Sequence, residues 1–234
     1  IVLKYLRDFT DANRLDLRLN ADEAAGGLVA ALADLPETSA TKVALRGIGP
    51  LGDWALTFDA KVDDVFAADG EAVVKAAGAL AVKADFTLTP GATLDPTVVR
   101  ALSPAARLQV DIAEGDDGVV RINQGALTAR DLTLAAKGTF DKINAIADLD
   151  IELDARGGLS ELAEGVDFQG FGFKGAVKGP LDDLNADGRI FLNDLRTAAA
   201  DVAAADLTAK VHVNGEVITL DVGGGAKGVR LDRL

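Results

Sequence analysis

Apolar and polar residues alternate along most of this chain with a period of two. Leu80, Val82, Ala84, Phe86 and Leu88 alternate with Ala81, Lys83, Asp85 and Thr87. Leu149, Ile151, Leu153 and Ala155 alternate with Asp150, Glu152 and Asp154. The same spacing joins Leu15, Leu17 and Leu19, then Leu56, Phe58, Ala60 and Val62, then Leu108, Val110 and Ile112. It recurs in Leu132, Leu134 and Ala136, in Phe171 and Phe173, and in Leu207, Ala209, Val211 and Val213. Successive side chains of a strand point to opposite faces, so each run predicts a strand that is apolar on one face and polar on the other. Alanine and leucine favour helix by intrinsic propensity, and here the pattern has to override them.

Turn chemistry agrees. Asn214-Gly215 separates two alternating runs and predicts a hairpin. Asp69-Gly70 and Asp117-Gly118 predict the same, whereas the alternation from Ala186 to Ile190 can run straight through Asp187-Gly188. Helical spacing appears in three places. Asn20 can cap a helix near 21–35, with Glu23 in capping-box position, Ala24, Leu28, Ala31, Leu32 and Leu35 on one face, and Pro36 as the stop. Asp95-Pro96 opens a short helix near 96–102, and Ser160–Ala163 suggests a third. Three helices are too few to supply the crossovers of a parallel sheet.

A loose repeat runs through the chain. Gly49-Pro50-Leu51-Gly52-Asp53, Gly138-Thr139-Phe140-Asp141 and Gly179-Pro180-Leu181-Asp182 each lead into a new alternating strand. The intervals are too uneven for a short-period solenoid, so the motif reads as a recurring strand–turn–strand device. No internal domain boundary is evident, and residues 1–234 read as one continuous segment.

Composition narrows the fold. Hydrophobic residues make up 49%, but much of that is alanine and only 5% of the chain is aromatic. Burial stabilises by roughly 25 cal/mol per Å² of apolar surface, so a compact two-layer core from these residues would be thin. A formal charge of −13 repels a phosphate backbone and argues against nucleic-acid binding. Cysteine is absent, which removes disulfides, thiolate metal sites and thiol nucleophiles. The longest uncharged apolar run, Ala24–Ala33, is far short of the roughly 18 residues of a membrane span. The start at Ile1, with no methionine anywhere, reads as a piece of a longer polypeptide.

Candidate chemistry changes the picture little. His212 is the only histidine, and alone it makes neither a metal cluster nor a triad without Ser39, Ser103 or Ser160 beside it. Asp111, Glu114, Asp116 and Asp117 surround a glycine-bearing turn but lack the spacing of a calcium loop, and a solvated hairpin tip is the simpler reading. Gly223-Gly224-Gly225 lacks the lysine and helix of a phosphate loop and reads as a turn or bulge. Trp54, the sole tryptophan, reads as a core or rim anchor. The expectation is a protein that is no enzyme and holds no metal or cofactor. Periodicity alone leaves two all-β folds open, a sandwich whose apolar faces cover each other and an open trough whose faces stay apart.

The residues between Arg14 and Pro36, with Leu45-Arg46-Gly47-Ile48-Gly49-Pro50-Leu51-Gly52-Asp53-Trp54, Lys178-Gly179-Pro180-Leu181-Asp182-Asp183-Leu184-Asn185-Ala186-Asp187-Gly188-Arg189-Ile190-Phe191-Leu192 and Asp194-Leu195-Arg196, resemble the TamB family. This is the inner-membrane-anchored subunit of the translocation and assembly module, within the AsmA-like superfamily. The order of elements is similar to the N-terminal part of the periplasmic region of an alphaproteobacterial member, and the likeness covers most of the chain. The resemblance implies a long, curled, antiparallel-rich sheet forming an open U-shaped groove, a β-taco, with an apolar interior and a few short helices packed on it. It further implies a periplasmic location in a Gram-negative bacterium and a non-enzymatic conduit that carries phospholipid between inner and outer membrane during outer-membrane biogenesis. An inner-membrane anchor and a C-terminal region binding an Omp85-type outer-membrane partner would lie elsewhere in the parent chain. The rival expectation is a chaperone-like scaffold for outer-membrane protein (autotransporter) assembly, acting by β-strand pairing. For the conduit, the expected lining is Leu56, Phe58, Val62, Leu80, Val82, Phe86, Leu88, Leu108, Val110, Ile112, Leu132, Leu134, Leu149, Ile151, Leu153, Phe171, Phe173, Leu207, Val211 and Val213, against phospholipid acyl chains.

Overall fold

A computed structural model of the chain describes residues 2–8, 14–27, 39–50, 52–76, 79–156, 165–215 and 217–231. These residues form fifteen strands and one short helix, so the protein is all-β. The chain divides into two units, residues 1–116 and 117–234.

The first unit holds β1 (Val2–Asp8), β2 (Arg14–Glu23), β3 (Thr41–Pro50), β4 (Asp53–Val62), β5 (Phe66–Lys75), β6 (Leu80–Pro90) and β7 (Ala106–Glu114). Each strand pairs antiparallel with the next. Helix α1 (Pro96–Leu102) sits between β6 and β7 as the proline pattern predicts, and Asp95 caps it by accepting from the Thr97 N–H at 2.8 Å. The second unit holds β8 (Val119–Thr128), β9 (Leu132–Asp141), β10 (Ile146–Arg156), the two-residue β11 (Val166–Asp167), β12 (Gly170–Pro180), β13 (Asp183–Thr197), β14 (Ala200–Asn214) and β15 (Val217–Leu231). Its strands pair in the order β8-β9-β10-β12-β13-β14-β15, with β11 beside β13. In neither unit do the first and last strands pair with each other, so each is an open antiparallel meander rather than a barrel.

Several sequence expectations change. Residues 21–23 of the helix expected near 21–35 are the end of β2, because pairing continues through Glu23↔Thr41 and extends the Leu15–Leu19 alternation. Residues 28–35 of that segment, and the helix suggested over Ser160–Ala163, lie outside the described residues. Asp69-Gly70 is no turn and sits in the middle of β5, paired with β4 and β6 on either side. Asp187-Gly188 runs straight through β13, and Gly223-Gly224-Gly225 lies inside β15. Gly215, at a φ of 56°, lies in the β14–β15 turn, and Asn214 ends β14 paired with Val217.

The repeat has a common backbone basis. Its three glycines, Gly49, Gly138 and Gly179, have φ values of 146°, 140° and 120°, a conformation side-chain-bearing residues rarely adopt. A Cβ on Gly49 would lie 2.7 Å from the Trp54 Cα, and one on Gly138 would lie 2.9 Å from the Leu149 Cα. The motif therefore marks where one strand closes tightly on its neighbour near a hairpin. In the second copy Asp141 fixes the turn, accepting from the N–H groups of Ile143 at 2.9 Å and Asn144 at 3.0 Å and from Asn144 Nδ2 at 2.7 Å. Those bonds, the Asn144 side chain's first, hold its carboxyl below the usual carboxylate range.

Candidate apolar ligand face

Register turns the alternation of single strands into rows that run across strands. In the first unit Leu45 pairs with Phe58, Phe58 with Gly70, Gly70 with Phe86 and Phe86 with Leu108. A parallel row joins Leu56, Ala72, Ala84 and Val110, and another joins Trp54, Val74, Val82 and Ile112. In the second unit Leu134, Leu153, Phe173, Ile190 and Leu207 form one row, and Leu149, Val177, Ala186 and Val211 form another. Leu132 and Phe171 lie in a further row joined through Ala155, and Ile151 lies in one with Gly175, Gly188 and Ala209. No charged side chain enters these rows. The expected lining residues of each unit thus fall on a single face of that unit's sheet.

Exposure distinguishes an open face from a covered one. Eighteen of the twenty expected lining residues are half-buried. Val62 is instead buried at 2% exposure, at the end of β4, and Leu80 is exposed at 44% where β6 begins. Seven of the ten buried apolar side chains among the described residues are alanine, and the largest side chain with almost no exposure is Thr41. A sandwich buries the large inward-facing residues of both sheets. Here most of the large residues stay half-open, and the enclosed apolar side chains are mainly alanines, with Val62, Val65 and Phe168 beside them.

Aromatic rings lie along the face over small residues. A Cβ on Gly47 would be 3.0 Å from the Trp54 ring, one on Gly175 would be 2.8 Å from the Phe173 ring, and one on Gly188 would fall onto that same Phe173 ring. The glycines are therefore what lets these rings fold down onto the sheet.

Some face residues escape a search for simple alternation. In β8 the register shifts between Ile122 and Gly125, where a bulge inserts one residue. Ile122, at an even position, and Leu127, at an odd one, consequently share a face, and no regular period reveals it. Leu45, Val74 and Ile190 were visible in the pattern but belong to runs interrupted by glycine.

The opposite face is polar, and its charges pair in register. Lys83 meets Asp111 at 2.8 Å, Lys178 meets Asp148 at 3.0 Å and Lys174 meets Glu152 at 3.6 Å, each pair directly across two strands. Arg107 forks onto Asp85, with Nε at 2.8 Å from Oδ1 and Nη2 on Oδ2, and this bond holds the Asp85 carboxyl below its usual range. Exposed pairs of this kind add little stability, and their main effect is on register. A shallow depression of about 500 Å³ beside the β8 bulge is lined by Asn123, Gln124, Lys137, Asp150, Glu152 and Lys174. Its Lys174 and Glu152 neutralise each other, and it brings no nucleophile to a base.

The remaining sequence candidates stand apart from the apolar rows. His212 Nδ1 is 3.0 Å from Asn185 Oδ1, and its Nε2 is 3.5 Å from Asp183 Oδ1. Asp117 accepts from the Val119 N–H at 3.1 Å and pairs with Arg121 at 3.3 Å. Among the described residues no group of three or more His, Cys, Asp or Glu side chains is placed to hold a metal, and no helix is long and apolar enough to cross a membrane. A scan of protein-family models, a search of curated proteins and a search of solved structures each return no match to this chain.

Proposed function

We propose that this chain is a segment of a TamB-like periplasmic protein whose apolar sheet face carries phospholipid acyl chains between the inner and outer membranes, without chemistry of its own. The observation that supports this reading is the apolar face, in which eighteen of the twenty expected lining residues are half-buried while most of the enclosed apolar side chains are alanines. Burying an acyl chain is worth about 0.8 kcal/mol per CH₂, so a sixteen-carbon chain gains on the order of 12 kcal/mol when fully enclosed. A chain lying against one face gains roughly half of that, enough to be held and little enough to be released. Rows of similar apolar residues across consecutive strands present nearly equivalent positions, along which a chain slides without crossing a charged step. The net charge of −13 keeps the polar surface from adhering to anionic bilayers.

Native mass spectrometry and lipid extraction of the purified chain, with a photocrosslinking amino acid at position 86, test the reading. Phospholipid that co-purifies and crosslinks through its acyl chain at position 86 is the expected result. A lipid-free chain with position 86 shielded from added lipid would rule the conduit out.

A further inference from the structure

Enclosure in the first unit is uneven along its strands. The β4–β5 turn and the β6–β7 connection lie at one end of the apolar face, and the last residues of β3 and β5 lie at the other. Towards the first end Ala21, Val43, Ala60, Ala68, Leu88 and Ala106 stand in one row, and Ala21, Ala60 and Ala106 are buried. One row further on, Thr41 and Val62 are paired and buried, at 1% and 2% exposure, and Val65 of the turn is buried beside them. The β6–β7 connection is strapped to that turn. The Gly91 N–H donates to the Val65 carbonyl at 2.7 Å, and the Thr93 N–H donates to the Asp64 carbonyl at 2.8 Å. At the other end Trp54, Val74, Val82 and Ile112 are all half-buried, and Leu80 beyond them is exposed at 44%. The face is closed at one end of its strands and open at the other.

This asymmetry selects a direction for any molecule with one charged end. A headgroup phosphate has to stay hydrated, because burying an unpaired charge is prohibitive. The methyl end of an acyl chain has no such requirement and gains from enclosure. Length agrees. From Trp54 to Ala60 the backbone of β4 covers about 20 Å, at roughly 3.4 Å per residue. The acyl layer of one leaflet is half of a bilayer core of about 30 Å, so a chain lying along the strand fits between the two ends. The side chain at the open end suits the boundary as well. Tryptophan is apolar with a single polar N–H, and it favours the level where acyl chains meet water.

Resting on the phospholipid reading above, we propose that the first unit holds acyl chains along its strands in one direction only. The methyl terminus lies at the closed end beside Ala60 and Ala106, and the ester and headgroup lie at the open end beside Trp54. A chain placed in this way moves sideways from strand to strand with its headgroup in water throughout.

Trp54 is the sole tryptophan, so its fluorescence reports from the open end alone. The chain is loaded with phosphatidylcholine brominated either beside the ester or near the methyl terminus. Bromine beside the ester should quench Trp54 more strongly. In Trp54→Phe with Leu88→Trp the reporter sits towards the closed end, and the order should reverse. Trp54→Phe with Phe86→Trp gives the same comparison if the first variant does not fold. Quenching in the same order at both positions, or in the opposite order at each, overturns the orientation and leaves lipid binding intact. No quenching by either lipid at either position removes the phospholipid reading and the orientation with it.

Discussion

Phe58 and Phe86 meet edge to face, with ring centroids 6.1 Å apart and planes at 77°, although strand β5 runs between the strands that carry them. The residue between them in the row is Gly70, and a Cβ there would lie 2.5 Å from the Phe86 ring. A missing side chain is what allows a contact across two strand spacings. Gly70→Val should cost about 1–3 kcal/mol, as overpacking does, and should part the rings. A double-mutant cycle of Phe58→Leu and Phe86→Leu, measured by urea unfolding, should give a coupling of about 0.5–1.5 kcal/mol in the natural background and nearly none in Gly70→Val.

Phe173 uses glycine in the same way on the second unit's face, its ring lying over Gly175 and Gly188. Gly188→Ala should therefore displace the ring and destabilise the chain by about 1–3 kcal/mol. Combining it with Phe173→Ala should cost less than the sum of the two single changes, because the clash is removed with the ring. Additive losses in chemical denaturation would show that the ring and the glycine do not depend on each other.

Acid should weaken the Arg107–Asp85 fork. The folded-state Asp85 carboxyl titrates below its ordinary value near 3.8, chiefly through its bond to Arg107. A depressed carboxylate contributes stability that is fully present above the unfolded value and is lost as pH falls through the folded one. Asp85→Asn should thus lower the melting temperature at pH 7 and lose less of it than the natural chain as pH drops below about 4. Parallel melting curves for the two chains down to pH 2 would refute this.

Lipid occupancy should depend on which face is altered. Ile151→Asp places a charge in the apolar rows, whereas Glu152→Gln, one residue on, alters only the polar face. The first should strip co-purified phospholipid and the second should leave it in place, by lipid extraction of folded protein. Val62→Asp is the wrong probe, since Val62 is buried and a charge there should cost several kcal/mol and unfold the hairpin. Equal lipid content in Ile151→Asp and Glu152→Gln would remove the face from consideration.

Much of the fold was legible because strand periodicity is a local property. Leu80–Leu88, Leu149–Ala155 and Leu207–Val213 mark β6, β10 and β14 directly, and Asn214-Gly215 marks a turn whose chemistry is fixed by its own residues. What stayed hidden depends on neighbours distant in sequence. The Asn20–Glu23 capping pattern gave way to β2 because β3 supplies hydrogen-bond partners as far as Glu23. Gly70 reads as a turn residue until β4 and β6 are seen on either side of it. The β8 bulge breaks the period that would have revealed Ile122 and Leu127 together.

The sequence by itself therefore determined that this is an all-β chain whose strands carry one apolar and one polar face, since the alternation of side chains is a property of each extended segment alone. Only the tertiary structure decided which apolar residues stand side by side and that most of the large side chains of the face stay half-open. Pairing register and burial arise between segments far apart in the chain, and no local pattern encodes them.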